Sequence, residues 1–274
     1  MLMRINLVLI FCLVSISSYA EKNEKFINKM LSVRSRAVLT LEVFDLKGNL
    51  VDKGAGFFTS PTGVFLVSQH VLRKYLDNRK TRRIKITDKL GQTINQISFG
   101  RCGKRNQFDL CMLKAEKYKV GSYFPDSFLP KYPVTKEVPH LSMDIMAIGH
   151  CKRDYRLIRS KAKYYRKSEY LNKIATKYNK KDRGTIEKKD LILLHKPHCT
   201  GDSGGPIFNH KGELVGVLQE RMFNKDDGSD NYYIGLAVSE ITPFLNKGAN
   251  FKKIPTGEII KGKKKLSSLN RRGR

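Results

Sequence analysis

Ser203 lies in the run Cys199-Thr200-Gly201-Asp202-Ser203-Gly204-Gly205-Pro206, and each residue type there suits acyl transfer. A serine hydroxyl is a weak nucleophile that needs a base beside it. The glycines permit a tight turn that side chains would block. Such a turn can aim the N–H groups of Gly201 and Ser203 at one point, which makes an oxyanion hole. The competing account is a glycine-rich surface turn with a chance serine, and it weakens once partners are found. His70, in Val67-Ser68-Gln69-His70-Val71, supplies a base that takes the serine proton and returns it to a leaving amine. Asp109, in Phe108-Asp109-Leu110-Cys111-Met112-Leu113, can hold the imidazole in one tautomer and stabilise its charged form. Taken singly, His70 reads as a structural histidine and Asp109 as a turn residue. Together with the serine run they make a nucleophile, a base and an orienting acid.

These runs, in the order His, Asp, Ser, resemble the motifs of the trypsin/chymotrypsin-like serine peptidases. The resemblance covers residues 37–247, with Gly54-Ala55-Gly56-Phe57-Phe58 leading into the histidine run. In detail it is similar to the bacterial branches, the glutamyl endopeptidases and HtrA-like proteases, through Gly56-Phe57 and Leu214-Val215-Gly216-Val217. No PDZ-like domain is expected after it, in contrast to typical HtrA proteases. The resemblance implies an all-β fold of two packed antiparallel β-barrels closed by a short C-terminal helix. It also implies a serine endopeptidase that works through an acyl-enzyme and needs no cofactor. Asp202 matches the aspartate that receives a new N-terminal amine when trypsin-like zymogens are activated, but the usual Ile-Val-Gly-Gly start is absent. Pro197 falls at the base of the specificity pocket, where trypsin-type enzymes carry an aspartate. Leu218 replaces the acid-binding histidine of glutamyl endopeptidases, while His198 and Glu220 flank the pocket. An apolar pocket selects by size, so a small or medium apolar P1 residue is expected.

The elements that must position these residues read as short strands. Val38 to Phe44, Gly56 to Thr59, Val64 to Ser68, Ile84 to Thr87, Thr93 to Phe99 and Leu110 to Lys114 alternate with turn signals over residues 37–114. Residues 115–139 hold four prolines and little periodicity, as suits a linker. A second series over 140–247 contains Asp144 to Gly149, Leu191 to His195, Pro206 to Phe208, Leu214 to Leu218 and Tyr232 to Val238. Residues 152–189 interrupt it as a Lys/Arg-rich insertion with interleaved tyrosines, in which Ser168 suits the cap of a short helix. Val238 to Lys247 reads as the closing helix, with Thr242 as N-cap and Pro243 in its first turn.

The chain has 274 residues, 53 Lys+Arg against 25 Asp+Glu, and a net charge of +28. Such an excess suggests either a solubility device, with the insertion a solvated loop, or an anionic polymer or surface as a partner through the insertion and the basic tail 248–274, which is expected to be disordered. Residues 1–20 read as a secretory signal: Arg4, an apolar run from Leu7 to Ile16, and Ser18-Tyr19-Ala20 before the cut. A secreted or periplasmic protein with no membrane anchor after signal removal is expected, with residues 21–36 as a lead-in or pro-segment. Export leaves Cys102, Cys111, Cys151 and Cys199 to form two disulfides in any of three connectivities, of which the favoured one is Cys102–Cys111 across a hairpin with Cys151–Cys199 bracing the nucleophile loop. A Cys2His2 metal site from His150-Cys151 and His198-Cys199 is the competitor. It is disfavoured because adjacent strand residues face opposite ways, and no metal is expected.

The expected function is therefore an exported serine endopeptidase hydrolysing protein or peptide substrates. The rival from another class is a catalytically inactive protease-like module that binds proteins or anionic polymers. An esterase using the same triad is a second rival.

Overall fold

In the computed structural model the described residues are 28, 32, 34–103, 109–116, 143–151, 154–165, 190–194, 199, 201–209, 213–223 and 230–253. For 143–151, 154–165, 193, 220–223 and 230–233 the backbone alone is described.

The first sheet takes its strands from β1 (Val38–Asp45), β2 (Leu50–Phe58), β3 (Val64–Ser68), β4 (Arg82–Thr87), β5 (Ile97–Cys102) and β6 (Leu110–Ala115). An eight-residue helix, α1 (Gln69–Leu76), follows β3 directly. It presents Val71, Leu72 and Tyr75 to the core and Arg73, Lys74 and Asp77 outward or at its rim. β1 shows why the sheet must be covered on both sides: Val38, Leu39, Leu41 and Val43 are fully buried. Phe58 and Phe65 face each other across β2 and β3 as an edge-to-face pair at 5.6 Å, a cross-strand contact that helps hold register.

The second sheet is a closed antiparallel barrel of β7 (Met143–Cys151), β8 (Asp154–Tyr165), β9 (Leu191–Leu194), β10 (Pro206–Asn209), β11 (Leu214–Phe223) and β12 (Asp230–Ala237). Helix α2 (Val238–Asn246) then leaves the barrel and lays Ile241 and Phe244 into the same buried cluster as the first sheet's side chains. The core is thus continuous across both sheets, and Phe208, Leu214, Val217 and Leu236 of the barrel join it. The Arg101 guanidinium of β5 sits 4.5 Å above the Phe244 ring, and burial holds its pKa below the ordinary arginine value. The last strand among the described residues, β13 (Lys252–Lys253), adds to the edge of β5 and gives the first sheet the order β13-β5-β6-β3-β2-β1-β4. The architecture is the expected all-β, chymotrypsin-like one, with the first sheet curled rather than closed.

Several local expectations shift. β8 occupies the first part of the segment read as an insertion, because Tyr155, Leu157 and their neighbours pair with β7 along its whole length. The helix proposed after Ser168 lies outside the described residues, as does the linker beyond Glu116. Helix α2 has Ala237 at its N-cap position, five residues before the expected cap Thr242, which lies inside the helix with its hydroxyl donating to the Val238 carbonyl at 2.9 Å and Pro243 after it. Part of the segment read as a basic tail is structured, since beyond Gly248 Phe251 packs against Gly100 and Lys252–Lys253 pair with Phe99 and Ser98. β5 starts at Ile97 rather than Thr93, which makes an isolated bridge to Thr87.

Candidate active site

The register of β3 on β6 places Ser68 opposite Leu110, so the residues just beyond these strand ends meet. Gln69 and His70, the first two residues of α1, there meet Asp109, the residue before β6. The His70 amide donates to Asp109 Oδ1 at 2.7 Å, and the His70 Nδ1 lies 2.5 Å from Asp109 Oδ2. The Gln69 amide donates to the Asp109 carbonyl at 3.0 Å, which fixes the backbone of the acid as well as its side chain. An ionised carboxylate offers only acceptors, so the ring carries its proton on Nδ1 and leaves Nε2 as the basic lone pair. The imidazole is about half exposed, as a base that must meet a substrate should be.

Gln69 departs from the small residue trypsin carries before its histidine, and its side chain has a structural task. It is buried, and its amide donates to the Gly103 carbonyl at 2.9 Å, clamping one end of the loop that leads to Asp109. The other constraint on that loop is the disulfide between Cys102 and Cys111, which face each other in register across β5 and β6. The expected hairpin pair is therefore present.

The serine run is laced onto both sheets. Gly204 N donates to the Leu218 carbonyl at 2.8 Å, and Leu218 N donates to the Gly205 carbonyl at 2.8 Å. The Ala55 amide of β2 donates to the Ser203 carbonyl at 2.7 Å. Gly204 has φ +90°, and a Cβ there would lie 2.2 Å from the Ala55 carbonyl oxygen and 2.8 Å from the Ser68 nitrogen. Only glycine allows this approach, so the residue after Ser203 presses directly on the strand end that leads to His70. Asp202 is fully buried and braces its own turn, accepting from the Cys199 amide at 3.1 Å through Oδ2. Gly201 has φ +110°. The amides of Asp202, Gly204 and Gly205 reach backbone carbonyls, whereas among the described residues those of Gly201 and Ser203 meet none.

Of the expected pocket residues, Leu218 is fully buried in the strand behind the serine run. Glu220 pairs with Ile234 past a bulge in β11, and Pro197 and His198 lie outside the described residues. Cys199 is disulfide-bonded, which withdraws a thiolate from the Cys2His2 alternative, while the side chain of Cys151 lies outside the description. Sequence reasoning missed Ser68, whose hydroxyl stands beside both His70 and Asp109. Its signal was a serine at a strand-to-helix junction, a residue type usually read as a helix cap.

A family model described as a trypsin-like peptidase domain matches residues 54–217. Among solved structures, the chain is similar to the Rv3671c protease from M. tuberculosis in its active form. The TM-score is 0.57 at 16% identity, over 83% of this chain and 87% of that one, a likeness of fold. Among curated proteins no match was found. The family model spans more than half of the sequence and contains all three residues of the candidate site, and on that ground the chain belongs to the trypsin-like peptidase family and is a serine protease.

Proposed function

We propose that the protein is an exported serine endopeptidase in which Ser203 attacks the peptide carbonyl, His70 is general base and then acid, and Asp109 orients the ring. The observation that carries it is the paired Asp109–His70 contact, built where the Gly204 turn abuts the same strand end. In the first step the Ser203 oxygen bonds to the carbonyl carbon while its proton passes to His70 Nε2. The oxyanion is received by the amides of Gly201 and Ser203, with electrostatic stabilisation the largest contribution. Collapse expels the amine, which takes the proton from His70, and water then repeats the sequence on the acyl-enzyme.

Export is supported by the signal-like first 20 residues and by the disulfide. Among the described residues no helix is long and apolar enough to cross a membrane. The net charge of +28 supports an anionic polymer or surface as a partner, and the sequence around Pro197 and Leu218 supports an apolar P1 preference. The test is labelling with a fluorophosphonate and cleavage of a peptide library by the mature chain. Ser203→Ala is expected to abolish labelling and to lower hydrolysis by about 10⁴–10⁶-fold. Wild-type hydrolysis by Ser203→Ala would reject the proposal, and absence of labelling in the wild type would favour the inactive binding module.

A further inference from the structure

Ser68 occupies the N-cap position of α1, with extended φ and ψ of −61° and 129°, yet its side chain makes no capping hydrogen bond. A serine at an N-cap ordinarily accepts from the second or third helical amide. Here the hydroxyl is fully buried and turned the other way, with Oγ 3.2 Å from Asp109 Oδ2 and 2.8 Å from His70 Nδ1. The carboxylate has no proton to give, so the hydroxyl donates to Oδ2 and offers a lone pair to the ring N–H. The His70 N–H is then shared between a carboxylate oxygen and a serine oxygen. The same residue's backbone nitrogen lies against Gly204, next to the nucleophile.

We infer that Ser68 is a positioning residue of the proteolytic site, acting through Asp109 and His70 rather than on the substrate. This rests on the triad reading above. The hydroxyl adds a third tie to the carboxylate of Asp109, whose side chain is 28% exposed and is otherwise held only by the amide and ring of His70. It also withdraws part of the carboxylate's negative charge, so that the imidazolium is held less tightly and returns its proton more readily. The forgone cap is thus exchanged for a hydrogen bond to an ionised group, the stronger kind.

The test compares Ser68→Ala, Ser68→Thr and Ser68→Cys with the wild type and with Ser203→Ala. Two readouts are used: the pH profile of peptide hydrolysis, and the titration of His70 by NMR of histidine-labelled protein, which needs no turnover. Ser68→Ala should lower kcat by about tenfold or more with little change in KM. It should also move the His70 titration and the acid limb upward by about half a pH unit or more. Ser68→Thr, which keeps the hydroxyl, should restore both. Ser68→Cys, nearly isosteric with a weak donor, should behave like Ser68→Ala and serves if the alanine variant does not fold. A His70 titration unchanged in the folded alanine or cysteine variant overturns the inference, even if stability falls. If instead Ser203→Ala retains hydrolysis, it is the triad reading that fails.

Discussion

The Ala55 amide holds the Ser203 carbonyl at 2.7 Å, so the serine of the second barrel hangs by its own backbone from a strand of the first sheet. Its neighbours leave no room for adjustment. Gly204→Ala places a methyl group 2.2 Å from the Ala55 oxygen at φ +90°. The expected result is a loss of about 2–4 kcal/mol in denaturant unfolding, together with much slower fluorophosphonate labelling. Gly48→Ala is the matched control, since Gly48 has φ +87° and nothing within 4 Å of its Cβ. It should lose only the backbone part, about 1–2 kcal/mol, and label normally.

Gln69→Ala removes the buried bond to the Gly103 carbonyl. It is expected to destabilise the fold by about 1–3 kcal/mol, because the partner carbonyl is left without its donor. Gln69→Glu should be worse than Gln69→Ala, since a buried carboxylate cannot donate to that carbonyl. Equal midpoints for all three proteins in urea would show that the clamp on the Asp109 loop has no energetic weight.

Replacing Cys102 and Cys111 by serine opens a short loop. The expected loss is about 2 kcal/mol, at the low end because few residues are enclosed. Non-reducing peptide mapping should recover Cys102 joined to Cys111 and Cys199 joined to Cys151. A Cys199 peptide carrying a free thiol would contradict its disulfide-bonded state.

Two truncations separate the contribution of β13 from that of residues 254–274. Stopping after Lys253 should leave the unfolding midpoint unchanged, while heparin retention weakens through loss of basic residues. Stopping after Gly248 removes Phe251 and the β13 pairing, and should lower stability by about 1–2 kcal/mol. Equal midpoints for the two truncations would mean that the terminal strand adds nothing.

The strands were readable where one face is plainly apolar. Val38 to Phe44 and Leu110 to Lys114 alternate or run hydrophobic, and both are strands with fully buried members. The motif residues were readable because acyl transfer restricts which side chains can serve. What escaped notice depends on partners distant in sequence. α1 is only eight residues long and is held by burial of Val71, Leu72 and Tyr75 beneath the sheet, a tertiary effect that local propensity does not carry. The turned hydroxyl of Ser68 is set by Asp109, and the task of Gln69 by Gly103; neither partner is a sequence neighbour. β8 was hidden by its composition, since alternating Arg, Lys and Tyr reads as a solvated loop until β7 and β9 flank it. Lys252–Lys253 carries no apolar signal at all, and only the exposed rim of β5 makes it a strand.

That last pairing also sets an order of events during synthesis. β5 leaves the ribosome early, but the residues that cover its edge are made only after the whole of the second barrel. Through that interval the first sheet presents unpaired backbone groups to whatever chain is near, the condition under which strands pair wrongly. When the terminal strand arrives, it brings two exposed lysines to the new margin of the sheet, and charge there discourages any further strand from adding. A nascent chain that stalls before Gly248 would carry all three residues of the proposed triad and still leave that edge of β5 uncovered.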